Sequence, residues 1–180
     1  MPSKGKRESI IEAFMSMIEE MPLESIRVED LIERANTSKT TFYRLFRDKY
    51  DVMNSIYLLE SQRVVEENPD LRNWKDWTYA DFEHIRQHKG FYRSIISYNG
   101  QNSFRDTIKQ YFGKNIMRQI KTEYQTREIP EQIVFAVEVM MEVAAFAMIW
   151  WVNGNCQIPA QTLTEYVEDC IPESIRRYFN

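Results

Sequence analysis

Glycine and proline are scarce in this 180-residue chain, at five and six positions, and no long strand-like alternation of apolar and polar residues is present. Both absences argue against β architecture and favour an all-helical protein. There are only two cysteines, Cys156 and Cys170, with neither a disulfide framework nor metal-site partners around them. Reduced, packed thiols and a cytoplasmic location are expected. No N-terminal signal pattern is present, and the most apolar run, Val143 to Val152, is too short to span a bilayer, so no membrane partner is expected. A glycine-rich phosphate loop, a strained serine turn, a cysteine–histidine pairing in context and a metal-binding motif are also missing. Scattered Asp and Glu are ordinary on helix surfaces. The expectation is a protein that is not an enzyme and carries no cofactor.

An excess of positive charge is lacking too: 23 Lys and Arg stand against 27 Asp and Glu, a net charge of −4. Any binding to a polyanion must then come from where the cations sit and not from their number. The length suffices for one substantial core, or for a small domain beside a larger one.

What is present is concentrated between Asn36 and Met53. Upstream, Val28, Leu31, Ile32 and Ala35 recur at helical spacing, and a second helix begins after the polar turn Asn36-Thr37. Phe42 and Phe46, four apart, fall on one side of that second helix and can pack inward. Lys39, Tyr43 and Arg47 repeat at the same interval on the other side, flanked by Thr40 and Arg44. Ser38 can cap the helix, leaving its first N–H groups directed outward. Two short helices joined this way make a helix-turn-helix, whose second helix enters the DNA major groove. Hydroxyl, phenol, ammonium and guanidinium donors on one face suit phosphate oxygens and base edges. A short amphipathic helix with a solvated basic face would look the same in isolation; its placement after a matching helix and turn favours DNA binding.

Residues 7–53, about a quarter of the chain, resemble the N-terminal DNA-binding domain of the tetracycline-repressor (TetR) family. The resemblance rests on a first helix with Ile10, Ile11, Phe14, Met17 and Ile18, on the helix Val28 to Ala35, and on the run Ser38-Lys39-Thr40-Thr41-Phe42-Tyr43-Arg44-Leu45-Phe46 followed by Asp48-Lys49. It implies an all-helical fold, with a helix-turn-helix domain at 1–48 and a larger helical effector-binding and dimerisation domain at 49–180. It also implies a set of DNA-binding residues: Arg27, Ser38, Lys39, Thr40, Thr41, Tyr43, Arg44 and Lys49, with Tyr43 and Lys49 on the phosphate backbone. Lys4, Lys6 and Arg7 would add charge on an N-terminal arm, while Glu12, Glu19, Glu20, Glu24, Glu29 and Glu33 would face away from the duplex.

Departures from the family pattern are local. Asn36 stands where glycine is usual; it is one of the few other residues that tolerates a left-handed backbone. Arg27 replaces a capping threonine, exchanging an oxygen for a cation. Ile32 replaces a usual alanine, and Leu45 replaces a polar residue that would contact base or backbone.

Downstream, the spacing predicts helices over Lys49–Glu67, Trp74–Gln87, Phe91–Tyr98, Ser103–Tyr124, Glu131–Asn153 and Pro159–Arg177. Breaks are expected at Asn68-Pro69-Asp70, Lys89-Gly90 and Asn99-Gly100, with a kink or stop at Pro172. The last helix should turn Leu163, Tyr166, Val167, Cys170 and Ile171 inward. Glu131–Asn153 is apolar nearly all round and must be buried on most faces, one against the core and another against a second subunit. The resemblance implies that the last two long helices of each subunit build a four-helix dimer interface, giving a homodimer that reads a palindromic operator.

The region where family members bind small effectors carries Trp77, His84, His88, Tyr98, Phe104, Tyr111 and Phe112 as candidate pocket residues, with Trp74, Phe82 and Met117 as further walls. An aromatic pocket suits an apolar or cationic effector. Each of these residue types is more often plain core than pocket lining. The expected function is a dimeric, effector-responsive transcriptional repressor. The alternative is a co-regulator that keeps the helix-turn-helix but acts through a protein partner.

Overall fold

The computed structural model describes residues 5–71, 73–98, 100, 103–125 and 128–179. Lys4 of the expected arm and Asn99 of an expected break lie outside these residues. The described residues form nine α-helices and two short 3-10 turns. They pack as two compact units, one of residues 5–62 with 90–104 and one of 63–89 with 105–179.

In the first unit, α1 (Lys6–Glu20) buries Ile10, Ala13, Phe14, Met17 and Ile18, a stripe at the three- and four-residue spacing of an amphipathic helix. The Glu8 carboxylate accepts the Gly5 N–H at 3.2 Å and closes the helix start. A 3-10 turn at Leu23–Ser25 leads to α2 (Val28–Arg34) and α3 (Lys39–Leu45), which bring Leu31 and Phe42 into the same core, both with 0% exposure. Each such side chain contributes about 1.5–3 kcal/mol by leaving water. The boundary between the units falls inside α4 (Lys49–Glu67), which opens on a reciprocal cap. The Asp51 N–H donates to Asp48 Oδ1 at 2.8 Å, and Asp51 Oδ2 accepts the Arg47 N–H at 2.9 Å. Val52, Met53, Ile56 and Tyr57 then face inward, and Tyr57 meets Phe104 and Tyr92 edge-on.

The second unit holds α5 (Trp74–Gln87), most of α7 (Phe104–Tyr124), α8 (Glu131–Asn153) and α9 (Ala160–Asp169). Asn73 caps α5 by accepting the Asp76 N–H at 2.9 Å. Gly113 on α7 lets Met141 of α8 approach to 3.4 Å of where a Cβ would stand. After α8 the chain reverses through Asn155 and Cys156, both left-handed (φ 59° and 54°), and the Cys156 N–H returns to Trp151 O at 2.9 Å. Trp151 anchors this turn: it is 1% exposed, packs on Phe82, and donates its indole N–H to Ile158 O at 2.8 Å.

Several element boundaries differ from expectation. The helix predicted from Phe91 to Tyr98 is α6 (Lys89–Ile95), so Lys89-Gly90 opens a helix instead of separating two. The last helix ends at Asp169, not Arg177: the Cys170 and Ile171 N–H groups already turn back to Val167 O and Glu168 O ahead of Pro172. Leu163, Val167 and Ile171 are buried as expected, but Tyr166 and Cys170 are exposed.

The run 143–152 is only part of α8. The whole 23-residue helix is long and apolar enough to cross a bilayer by length and composition. Only 39% of its most apolar stretch is buried within the chain. Its exposed large apolar side chains, Phe135, Val139, Phe146 and Trp150, recur at helical spacing.

Candidate nucleic-acid interface

The turn before α3 is built from backbone hydrogen bonds. Asn36 sits at φ 45°, its N–H reaching Glu33 O at 3.0 Å while the Thr37 N–H reaches Ile32 O at 3.1 Å. This Schellman ending satisfies the last carbonyls of α2 and needs a left-handed residue, which the expected asparagine supplies. Ser38 then caps α3, its Oγ accepting the Thr41 N–H at 3.1 Å and donating to Thr41 Oγ1 at 2.9 Å. Those two hydroxyls therefore hold each other and the helix start.

Buried Phe42 and Phe46 pin the inner face of α3, with ring centroids 6.0 Å apart. The opposite face carries Lys39, Thr40, Tyr43 and Arg44, all exposed, Tyr43 by 48%. Among the described residues, Lys39, Thr40 and Arg44 have no side-chain hydrogen bond or ion pair, and the Tyr43 ring rests edge-on against Phe42 with no partner at its phenol oxygen. The helix thus presents four uncommitted donors on one side, of the kinds that suit base edges and phosphates.

The remaining expected cations are placed differently. Arg27 is exposed but gripped by Asp30, which raises its pKa through that hydrogen-bonded pair. Lys6 donates to Asn36 O at 2.8 Å, bracing the turn, and the Arg7 guanidinium lies 4.8 Å from the Phe46 ring centroid. Arg47 pairs with Asp51 at 3.7 Å. Lys49 departs most from expectation. Its ammonium points to Leu23 O, Glu24 O and Ile26 O at 2.8, 3.0 and 2.7 Å, and burial pushes its pKa down. Nothing in the residue order around Lys49 signals these partners, which lie more than twenty residues earlier.

Among the acids, Glu20 is held below the usual carboxylate range by its hydrogen bonds from Arg34, at 2.7 and 2.8 Å. Glu19, Glu20 and Glu24 line one groove with Ser94 and Ser97, and α3 contributes no wall to it.

The expected effector residues fall in both units. Tyr98 and Phe104 belong to the first unit, where Tyr98 stacks on Tyr50 at 4.0 Å and Phe104 packs on Tyr57 and Tyr92. Burial and a hydrogen bond with Tyr98 push the Tyr50 phenol up to about 12. In the second unit, Trp77 and Phe112 meet at 4.7 Å and line a small cavity with Trp74, Thr78, Asp81 and Phe82 from α5 and Met141 and Met148 from α8. Its free interior, about 20 Å³, is room for one water. Tyr111 rests edge-on against Phe112 but does not line the cavity. His84 and His88 lie ring to ring at 4.3 Å, with His88 Nδ1 2.9 Å from His84 O, also off the cavity. Thr78 and Asp81, the buried polar residues of the lining, went unnoticed in the sequence because a threonine and an aspartate three apart are ordinary on any helix.

Comparison with known proteins bears on both units. Residues 10–56 match the family model described as bacterial regulatory proteins, tetR family, and residues 72–173 match that of a transcriptional regulator C-terminal region. An 87-residue stretch is 21% identical to the HTH-type dhaKLM operon transcriptional activator DhaS of Lactococcus lactis subsp. lactis (strain IL1403), covering 48% of this chain and 46% of that relative's length. Among solved structures, a TetR transcriptional regulator from Streptococcus agalactiae 2603V aligns with a TM-score of 0.62 at 17% identity, over 97% of this chain and 94% of that one. The dihydroxyacetone kinase operon activator DhaS aligns at 0.59 and 14%, over 97% and 98%. The fatty acid degradation regulator FadR from Bacillus halodurans aligns at 0.55 and 16%, over 95% and 96%. At these identities the structural likeness speaks for the fold.

Proposed function

Because this chain belongs to the tetR family of DNA-binding, non-enzymatic transcription regulators, we propose that it works as a homodimer on a two-fold symmetric operator and represses by occupying it. The observation that carries this reading is the outer face of α3, where Lys39, Thr40, Tyr43 and Arg44 stand exposed and uncommitted on a helix pinned by Phe42 and Phe46. Ser38 and Thr41 set the start of that helix, and Arg27, at the start of α2, is proposed to add a cation on exchanging Asp30 for a phosphate. The functional division proposed is a DNA reader at 1–48 and a regulatory part at 49–180. A DNA reader of this kind works where the chromosome is, which supports a cytoplasmic location.

Dimerisation is proposed through α8 and α9. Phe135, Val139, Phe146 and Trp150 on α8, with Tyr166 on α9, leave large apolar side chains uncovered, as a self-complementary interface requires. Light scattering at micromolar concentration should give twice the mass of one chain. A monomer would overturn the proposal.

An effector is proposed to act at the aromatic cavity of the second unit. Only Trp77 and Phe112 of the expected seven residues line it, so the site is redrawn around them with Thr78 and Asp81. With room for a single water, it must open to admit an effector. The helix α4 is continuous from Lys49 to Glu67, so displacement at its far end would be carried to its first turn. By linkage, operator DNA must weaken effector binding by the factor with which effector weakens operator binding.

Activation is the second reading, favoured by one observation: the Lactococcus relative is named an activator. A reporter gene behind the selected operator separates the two readings, since deleting this protein raises expression under repression and lowers it under activation.

A further inference from the structure

We infer that Lys49 is a positioning residue for DNA binding, which ties the α1–α2 connection to the first turn of α4 and does not touch the phosphate backbone. An ammonium has three donors, and here each has a carbonyl acceptor: Leu23 O, Glu24 O and Ile26 O, at 2.7–3.0 Å. The connection needs such a partner. Its 3-10 turn satisfies Leu23 O with the Ile26 N–H at 3.2 Å, but among the described residues no turn or cap N–H reaches Glu24 O or Ile26 O. Three carbonyls converging on one point form a cation site, and Lys49 fills it from the side.

The side chain is aimed there by its surroundings. The Asp48–Asp51 cap fixes the first turn of α4. The ammonium also lies 5.3 Å from the centroid of the Tyr50 ring, which is itself stacked on Tyr98. Reaching a phosphate would mean breaking three charge-assisted hydrogen bonds and this ring contact to form one new contact. Lys39 and Arg44 can bind phosphate without breaking anything. Residues 23–26 lead directly into α2, and α2 carries the turn that sets α3. Any shift of the α4 start is therefore transmitted through Lys49 to the support of the reading helix.

Lysine suits this role for a geometric reason. Its compact tetrahedral ammonium can point three donors at three carbonyls, whereas a planar guanidinium fork cannot converge on them. Lys49→Arg thus keeps the charge and loses the clasp, and Lys49→Met loses both.

The test measures binding to a mixed-sequence duplex over a series of salt concentrations, with Lys39→Met as the control for a surface contact. Nonspecific binding reports phosphates directly, each contributing about 0.9 to the slope of log affinity against log salt. Both Lys49 variants should weaken binding by a similar factor, about tenfold, with the slope of the wild type, while Lys39→Met should lower the slope by about one. Wild-type affinity in Lys49→Arg, or a slope lowered by about one in Lys49→Met alone, would overturn the inference.

If the variants do not fold, the wild type still decides. Reductive methylation should modify Lys49 slowly with and without duplex, and Lys39 quickly only when free. A Lys49 that reacts quickly in the free protein and is protected by the duplex would overturn the inference as well.

Discussion

The guanidinium of Arg27 is held by both carboxylate oxygens of Asp30, Nε to Oδ2 at 2.9 Å and Nη2 to Oδ1 at 2.6 Å. An arginine positioned to reach a phosphate must exchange this partner for the duplex. Asp30→Asn should therefore strengthen binding to any DNA and steepen its salt dependence by about one phosphate, while the melting temperature changes little. Isotherms at several salt concentrations check this. Unchanged affinity would mean that Arg27 stays off the backbone.

In the proposed complex the outer face of α3 divides into two roles. Tyr43→Phe should weaken binding to all sequences alike, because a phenol on a phosphate carries no base information. Arg44→Ala or Lys39→Ala should in addition relax the preference at one position by about 1–3 kcal/mol if the side chain reads a base edge. Competition between the selected operator and single-base variants measures the difference.

The proposed dimer interface uses particular side chains. Phe146→Asp and Trp150→Asp change residues that are 60% and 50% exposed in the single chain, so each should give a folded monomer. Met148→Asp, at a position 3% exposed, should unfold the second unit instead. Circular dichroism with light scattering separates the outcomes.

Thr78 is 4% exposed, and its Oγ1 is buried without a hydrogen-bond partner among the described residues. Thr78→Val keeps the shape and removes the unsatisfied hydroxyl, so it should raise stability by about 1 kcal/mol in denaturant titration. A loss of stability would reveal a hydroxyl engaged with bound water or ligand.

Glu142 lies between Lys109 and Arg105, whose hydrogen bonds hold its carboxyl below the usual range. A folded-state pKa below the unfolded value gives stability that is present above the unfolded pKa, about 4.3. It is lost as pH falls through the folded value. The deficit in melting temperature of Glu142→Gln should therefore be constant at neutral pH and close below about pH 4. The carboxylate is 44% exposed, so the deficit should be small.

What the sequence made legible was local. The limits of α4, α5 and α8 follow from caps, Pro69, Pro130 and apolar spacing, all within a few residues of the helix ends. The Asn36 turn and the Ser38 cap are likewise decided by neighbours. What stayed hidden depends on the chain returning to itself. Tyr98 and Phe104 belong to the first unit, where they pack on Tyr50, Tyr57 and Tyr92, contacts that no spacing rule reaches. Lys49 meets carbonyls of residues 23–26, a pairing no spacing rule reaches. The apolar character of α8 said that it must be covered, but not that Phe135, Val139, Phe146 and Trp150 would be the side chains left exposed in the single chain.

The proposed molecule is a two-fold reader that presents α3 to the major groove. Selection of bound sequences from random duplex DNA by the purified full chain tests it most directly. A palindromic consensus is expected, its half-sites centred about 10–10.5 base pairs apart, or a multiple of that, matching one helical turn of about 34–36 Å. A consensus without two-fold symmetry, or no enrichment at low salt, would contradict it.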